Sequence, residues 1–245
     1  MIRAVFFDLG GTLIDNVTFL EKEAAITNQK ILREMGYSFS LNKIRNARLN
    51  AINRVENKYV GNSKKHTFGL YTFHFLKFLG LSPSMKLAIR INKKFRAEWD
   101  KHKRLMPHAK ELLTFLKRRK LKLAIISNGS VSDVNHDLDL INIRKYFDLI
   151  VISGKFGKEK STLVPFNHAL KKLELNPKEV IVVGDRMDED ICSSKRLGCT
   201  TVRMNFGFWR NYRRNEYGEA DYVARNLMEV KKILSDLTKS RNHTK

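Results

Sequence analysis

Cysteine is nearly missing from this chain. Cys192 and Cys199 are the only two among 245 residues. Two thiols cannot make the disulfide framework of a small secreted domain, and no histidine stands near them at metal-ligand spacing. Both are expected to be reduced, small apolar residues. Histidines are scattered as well: His66, His102, His108, His136 and His168 form no metal-binding pair. No apolar run approaches the roughly 18–20 residues that cross a bilayer. A strand pattern begins almost at Met1, leaving no room for a signal peptide. The expectation is a cytoplasmic protein with no membrane partner. Nothing repeats internally, and no tract is of low complexity.

Acids are the remaining shortage, with 25 Asp+Glu against 47 Lys+Arg and a formal net charge of +22. Such a field attracts nucleic acid, phosphorylated metabolites or an anionic surface. The excess is uneven. Between Asn16 and Met106 there are 19 Lys+Arg against 6 Asp+Glu, a net of +13, while the remainder carries 28 against 19. Lys239, Arg241 and Lys245 read as a frayed basic end. No nucleic-acid-binding motif accompanies the charge, so lysine-rich helix faces read as solvated surface and a nucleic-acid partner is not expected.

What is present supports a folded protein. Hydrophobic residues make up 42% of the chain, enough for a sizeable core, and the length fits one large domain or a core with a smaller companion. Ile2–Phe7 reads as a buried strand. Helical spacing follows: Leu20, Ala24, Ile31 and Met35 share a face closed by Gly36. Ser40 caps a second helix through Ile44, Ala47, Ala51, Val55 and Tyr59. A third runs from His66 to Leu79, crowded with aromatics expected in its core. Ser82-Pro83 opens a fourth. From Pro107 the pattern changes: Lys110–Arg119 reads as a helix, and strands are expected at Leu121–Ile126, Leu149–Ile152, Val180–Val183, Thr200–Met204 and Tyr222-Val223. Strands alternating with helices predict an α/β fold, a Rossmann-like parallel sheet wrapped by helices, with an inserted all-α bundle.

Three of those strands end in polar residues: Asp8, Ser127-Asn128 and Gly184-Asp185. Strand ends of a parallel sheet share one edge, where open α/β folds bind ligands. Carboxylates alone repel a phosphate, so Asp8 and Asp185 call for a hard cation, Mg²⁺. Ser127, Asn128 and nearby backbone amides could hold phosphoryl oxygens, and Lys158 or Lys160 could supply a point charge.

Together these stretches resemble the haloacid dehalogenase superfamily of Asp-nucleophile hydrolases. Asp8-Leu9-Gly10-Gly11-Thr12-Leu13 is similar to its first motif and Ser127-Asn128-Gly129 to its second. Ser153–Phe166 followed by Ala169-Leu170 resembles the third, and that register selects Lys160, with Ser161 where a proline is usual. Gly184-Asp185-Arg186-Met187-Asp188-Glu189-Asp190 resembles the acidic fourth. The resemblance implies a catalytic core of residues 1–15 and 107–245 and a helical cap of residues 16–106. It implies a Mg²⁺-dependent phosphatase of small phosphorylated metabolites acting through an aspartyl-phosphate. Asp8 would be the nucleophile, with Lys160 catalytic. Thr12, Ser127, Asn128, Gly129 and Lys160 would bind phosphate. Asp8, the Gly10 carbonyl and Asp185 would hold the metal, with Asp190 in support. Gly10 departs from the pattern: family phosphatases usually carry an acid–base aspartate there, so turnover is expected to be slow. Asp15 reads as a structural acid. Two alternatives stand beside this: a metal-free haloacid dehalogenase, disfavoured by Asp185 and the acids behind it, and a weakly active polyanion-binding protein.

Overall fold

The structure is a computed structural model and describes residues 1–209 and 218–238. The basic end at Lys239, Arg241 and Lys245 lies outside the described residues. The chain divides into two compact units, one of residues 1–15 and 104–238 and one of residues 16–103.

The first unit is built on a six-stranded parallel sheet. Its strands are β1 (Ala4–Phe7), β4 (Lys122–Ser127), β5 (Leu149–Ile152), β6 (Val180–Gly184), β7 (Thr200–Met204) and β8 (Tyr222–Ala224), in spatial order β5-β4-β1-β6-β7-β8. β1 is a run of four buried apolar residues because both its faces are covered. Val5 and Phe7 share a core with Leu112, Leu113 and Leu116 of α5 (Ala109–Arg118). Ala4 and Phe6 point the other way, into a core with Phe166, Ala169 and Leu170 of α7 (Val164–Leu173). Helices α6 (Val131–Ile141), α8 (Cys192–Leu197) and α9 (Leu227–Leu237) complete the unit. Strand order reverses at β1, which places a ligand-binding crevice beyond its C-terminal end. A two-residue antiparallel pair, β2 (Ile14–Asp15) with β3 (Arg104–Leu105), joins the chain where it leaves and re-enters this unit. Two residues carry no periodicity, so the pair left no trace in the sequence pattern.

The second unit holds α1 (Ala24–Glu34), α2 (Leu41–Lys58), α3 (Leu70–Phe78) and α4 (Met85–His102). Its core gathers Ile31, Leu32, Ile44, Ala47, Ala51, Phe75, Leu76, Leu79, Ala88 and Ile91. Ser40 caps α2 as its position predicts, its Oγ accepting from the Lys43 amide at 3.3 Å. Two boundaries move. The third helix starts at Leu70, after Gly69 in the left-handed region (φ 86°), and His66 falls in a separate turn, Ser63–His66. The fourth is capped by Ser84, whose Oγ accepts from the Leu87 amide at 3.1 Å, leaving Ser82 and Pro83 outside. The aromatic run also divides. Phe75 is core, whereas Phe78, about 200° around the helix from Leu76, is 43% exposed. Both cysteines are free thiols, and burial pushes Cys199 up to about 12. No helix among the described residues is long and apolar enough to cross a membrane.

Candidate active site

Asp8 leaves β1 at its C-terminal end, with its amide donating to the Val183 carbonyl of β6 at 2.9 Å. Gly184-Asp185 ends β6 and Ser127 ends β4, so both neighbours of β1 deliver polar residues to the same edge. Asp190 follows on the turn Met187–Ile191. Lys160 reaches in from the segment after β5. Its Nζ donates to Asp8 Oδ1 at 2.7 Å and to Asp190 Oδ1 at 2.5 Å, and all three side chains are almost fully buried. Lys158, the other lysine open to the sequence reading, has no place in this cluster.

The acids outnumber the cation. Asp8, Asp185 and Asp190 each offer a carboxylate oxygen, and those oxygens lie within 4.8 Å of one another. Burial, then the Asp8 and Asp190 charges, raises the Asp185 carboxyl well above its ordinary range. Burial also pushes Asp190 up to about 7, although Lys160 lies against it. Burial alone would lower the Lys160 ammonium, but Asp190 and Asp8 more than offset it and hold the lysine charged. Asp190 has both oxygens engaged, the second by the Arg186 amide at 3.0 Å. Asp185 Oδ2 is buried with no hydrogen-bond partner. An orphaned buried carboxylate oxygen is costly and rare, and its setting among acids fits a cation.

The predicted phosphate-binding residues sit differently from one another. Thr12 is fully buried and its hydroxyl has no partner. Ser127 makes one long bond, 3.5 Å to the Asn128 carbonyl. Asn128 Oδ1 accepts from the Lys160 amide at 3.1 Å, so this side chain fixes the lysine backbone. The Gly129 amide donates to Ser153 Oγ at 3.1 Å.

The acids after Asp185 hold separate neighbours. Asp188 takes Arg186 in two bonds of 3.0 and 2.7 Å, and the guanidinium lies 4.5 Å from the Trp209 ring centroid. Glu189 accepts from the Ser161 amide at 2.7 Å. Proline has no amide hydrogen, so that bond accounts for Ser161 where the family pattern has proline. Asp15 stands opposite Arg104 in the β2–β3 backbone register.

Sequence reasoning missed Gly207. Asp185 is held between two glycines in the left-handed region, Gly11 (φ 83°) and Gly207 (φ 89°). A Cβ on Gly11 would come to 2.5 Å from Asp185 Oδ2, and one on Gly207 would come closer still. The signal was weak, a single glycine just after β7 in no recognised motif.

Comparisons agree with this geometry. The family model described as haloacid dehalogenase-like hydrolase matches residues 5–204. A glyceraldehyde 3-phosphate phosphatase of Methanocaldococcus jannaschii is 28% identical over 256 residues, covering 98% of this chain and 100% of the relative. A phosphoglycolate phosphatase of Aquifex aeolicus is 29% identical over 219 residues, covering 84% and 86%. The magnesium-bound HAD-hydrolase YfnB of Bacillus subtilis superimposes with a TM-score of 0.72 at 19% identity, covering 95% of this chain and 98% of that one. An aspartate at the end of the central strand, a lysine bridging it to a second acid and a match over most of the length lead to one family: the chain belongs to the haloacid dehalogenase-like hydrolases.

Proposed function

We propose that this hydrolase is a Mg²⁺-dependent phosphatase of small phosphorylated metabolites, with Asp8 as nucleophile. The observation that carries the reading is the buried Asp8–Asp185–Asp190 triad, with one orphaned oxygen on Asp185 and one lysine against three carboxylates. Hard oxygen donors suit Mg²⁺. Asp8, Asp185 and the Gly10 carbonyl would hold the ion, which when bound screens and orients the phosphoryl group. Asp190, with both oxygens engaged, acts by holding Lys160.

In the first step an Asp8 carboxylate oxygen bonds to phosphorus while the ester P–O bond breaks and the alcohol leaves. Lys160 offsets charge on the phosphoryl oxygens. Thr12 and Ser127 supply hydroxyl donors, and Asn128 supplies its amide nitrogen. Gly129 contributes least, because its amide already serves Ser153. In the second step water attacks phosphorus, the acyl-phosphate P–O bond breaks, and Asp8 and inorganic phosphate are released. Gly10 has no side chain to protonate the alcohol or deprotonate the water, so solvent exchanges those protons at a cost of about 10²–10⁴-fold in rate.

The relatives are named for glyceraldehyde 3-phosphate and phosphoglycolate, which makes short phosphorylated aldehydes and acids the first substrates to try. Phosphate release from that panel should require Mg²⁺ and vanish in Asp8→Asn. Undiminished activity in EDTA or in the mutant would refute the mechanism. Metal-independent halide release from a 2-haloacid would establish the dehalogenase alternative.

A further inference from the structure

The outward face of α2 is unlike an ordinary solvated helix. A cavity of about 590 Å³ opens on it, lined by Asn50, Asn53, Arg54, Asn57, Lys58 and Phe78. The first five stand at i, i+3, i+4, i+7 and i+8, one continuous face of a helix. Phe78, on the last turn of α3, leaves 43% of its surface exposed at this cavity. The volume lies within the range of small-ligand sites.

The charges here are unbalanced locally, not only in total. Glu56 is the sole acid of α2; it is buried, held by Lys65 Nζ at 2.9 Å and the Tyr71 hydroxyl at 2.7 Å. No acid lines the cavity, and neither Arg54 nor Lys58 has a carboxylate partner among the described residues. These two are a like-charge i,i+4 pair, an arrangement that destabilises a helix. Their field, with that of Lys77, adds to burial in holding the nearby His74 imidazole below its ordinary range. Asn50, Asn53 and Asn57 on the same face are poor helix formers. An anion seated between Arg54 and Lys58 would relieve the repulsion.

We propose that this face of α2 binds a nucleoside phosphate. Arg54 and Lys58 take the phosphate, the guanidinium offering paired donors. Asparagine amides present a donor and an acceptor side by side, the pattern that matches a base edge. Phe78 supplies a ring on which the base stacks. A free nucleotide and a nucleotide of single-stranded RNA share this chemistry. The site shares no residue with the Asp8 centre and does not depend on the phosphatase reading.

The test measures anisotropy of a fluorescent ADP analogue and of a labelled ten-nucleotide adenine RNA on the full chain, in the Asp8→Asn background to prevent hydrolysis. Arg54→Ala/Lys58→Ala and Phe78→Ala are compared with Lys86→Ala/Lys93→Ala, which removes two exposed charges from α4. Each cavity variant should weaken binding about tenfold or more and the α4 control less than about twofold, by the size of stacking and charge-assisted contacts. The cavity pair should also lower the salt slope for RNA by about 1.4, at about 0.7 per charge. RNA binding at least about tenfold tighter than the mononucleotide identifies a strand as the source; equal binding identifies the free nucleotide. Equal losses in the cavity pair and the α4 control would overturn the proposal, since a diffuse field would then account for binding. Full binding by Phe78→Ala would overturn it as well, because a site for bare anions needs no ring. Thermal denaturation of each variant separates lost binding from lost fold.

Discussion

Replacing Asp185 with asparagine should stabilise the metal-free protein while removing its response to Mg²⁺. Asp185 is buried beside Asp8 and Asp190, and its carboxyl titrates well above the ordinary range because burial and both neighbouring charges oppose ionisation. Asp190, in the same cluster, is pushed up to about 7. An acid whose folded-state value exceeds its unfolded value binds more protons when folded across that interval. The stability it contributes is therefore present below the unfolded value and is lost as pH rises through the folded one. From about 4 to about 7, at 1.36 kcal/mol per unit, the Asp190 shift alone corresponds to roughly 4 kcal/mol. Asparagine at 185 removes one buried charge and part of the repulsion on Asp190, so a gain of about 2–4 kcal/mol at pH 8 is expected. For a protein of this size that is about 4–16 °C in Tm. Thermal denaturation in EDTA at pH 5 and pH 8 measures it. Wild type should be less stable at pH 8 than at pH 5 on account of this cluster. Asp185→Asn should reduce that gap, and adding Mg²⁺ should raise wild type at pH 8 but not the mutant. A mutant Tm at pH 8 equal to or below wild type would show that the carboxylates are not in conflict and would remove the basis for a cation here.

Gly207→Ala should raise the Mg²⁺ concentration needed for half-maximal stabilisation about tenfold, because its Cβ displaces Asp185 and alanine at positive φ costs a further ~1–2 kcal/mol; a thermal-shift titration matching wild type would refute the glycine slot. Gly10→Asp should raise phosphate-ester hydrolysis by about 10²-fold or more, and most for poor leaving groups. Gly10 is not among the left-handed glycines, so the backbone accepts the change. Equal rates in wild type and mutant across alkyl and aryl phosphates would mean that proton transfer is not limiting.

The sheet was legible because its central strands, β1, β4 and β6, are buried on both faces and bounded by a change of chemistry. Val180–Gly184, for instance, is five buried residues followed at once by an acid, Asp185. Helix starts were read to within a residue at α2 and α5 and slipped where the pattern offered competing signals. Ser40 follows Ser38 as Ser84 follows Ser82, and in each pair the later serine caps, its hydroxyl reaching the Lys43 or the Leu87 amide. The first and last acids of the site could be placed from their strand ends and motif order. The slot around Asp185 could not, since it depends on the approach of Gly11 and Gly207 from loops about 200 residues apart, a proximity created only when β1, β6 and β7 pair. Nor could the division of labour among Asp188, Glu189 and Asp190. Three adjacent acids look alike in a sequence, and the backbone turn at Met187–Ile191 points one to Arg186, one to Ser161 and one to Lys160.

Net charge and site charge have opposite signs here. The chain carries +22, yet the buried cluster at the end of β1 holds three carboxylates against one ammonium. The two facts do not conflict, because exposed lysines are screened within about 8 Å at physiological ionic strength, whereas the buried acids interact through a medium that screens them far less. Surface excess therefore cannot stand in for a cation at Asp185. It acts where it is concentrated and has no carboxylate partner among the described residues, as on the Arg54–Lys58 face. A residue count assigns both features the same cause, anion attraction. Burial separates them: the Asp8–Asp185–Asp190 cluster calls for a cation, and the α2 face calls for an anion.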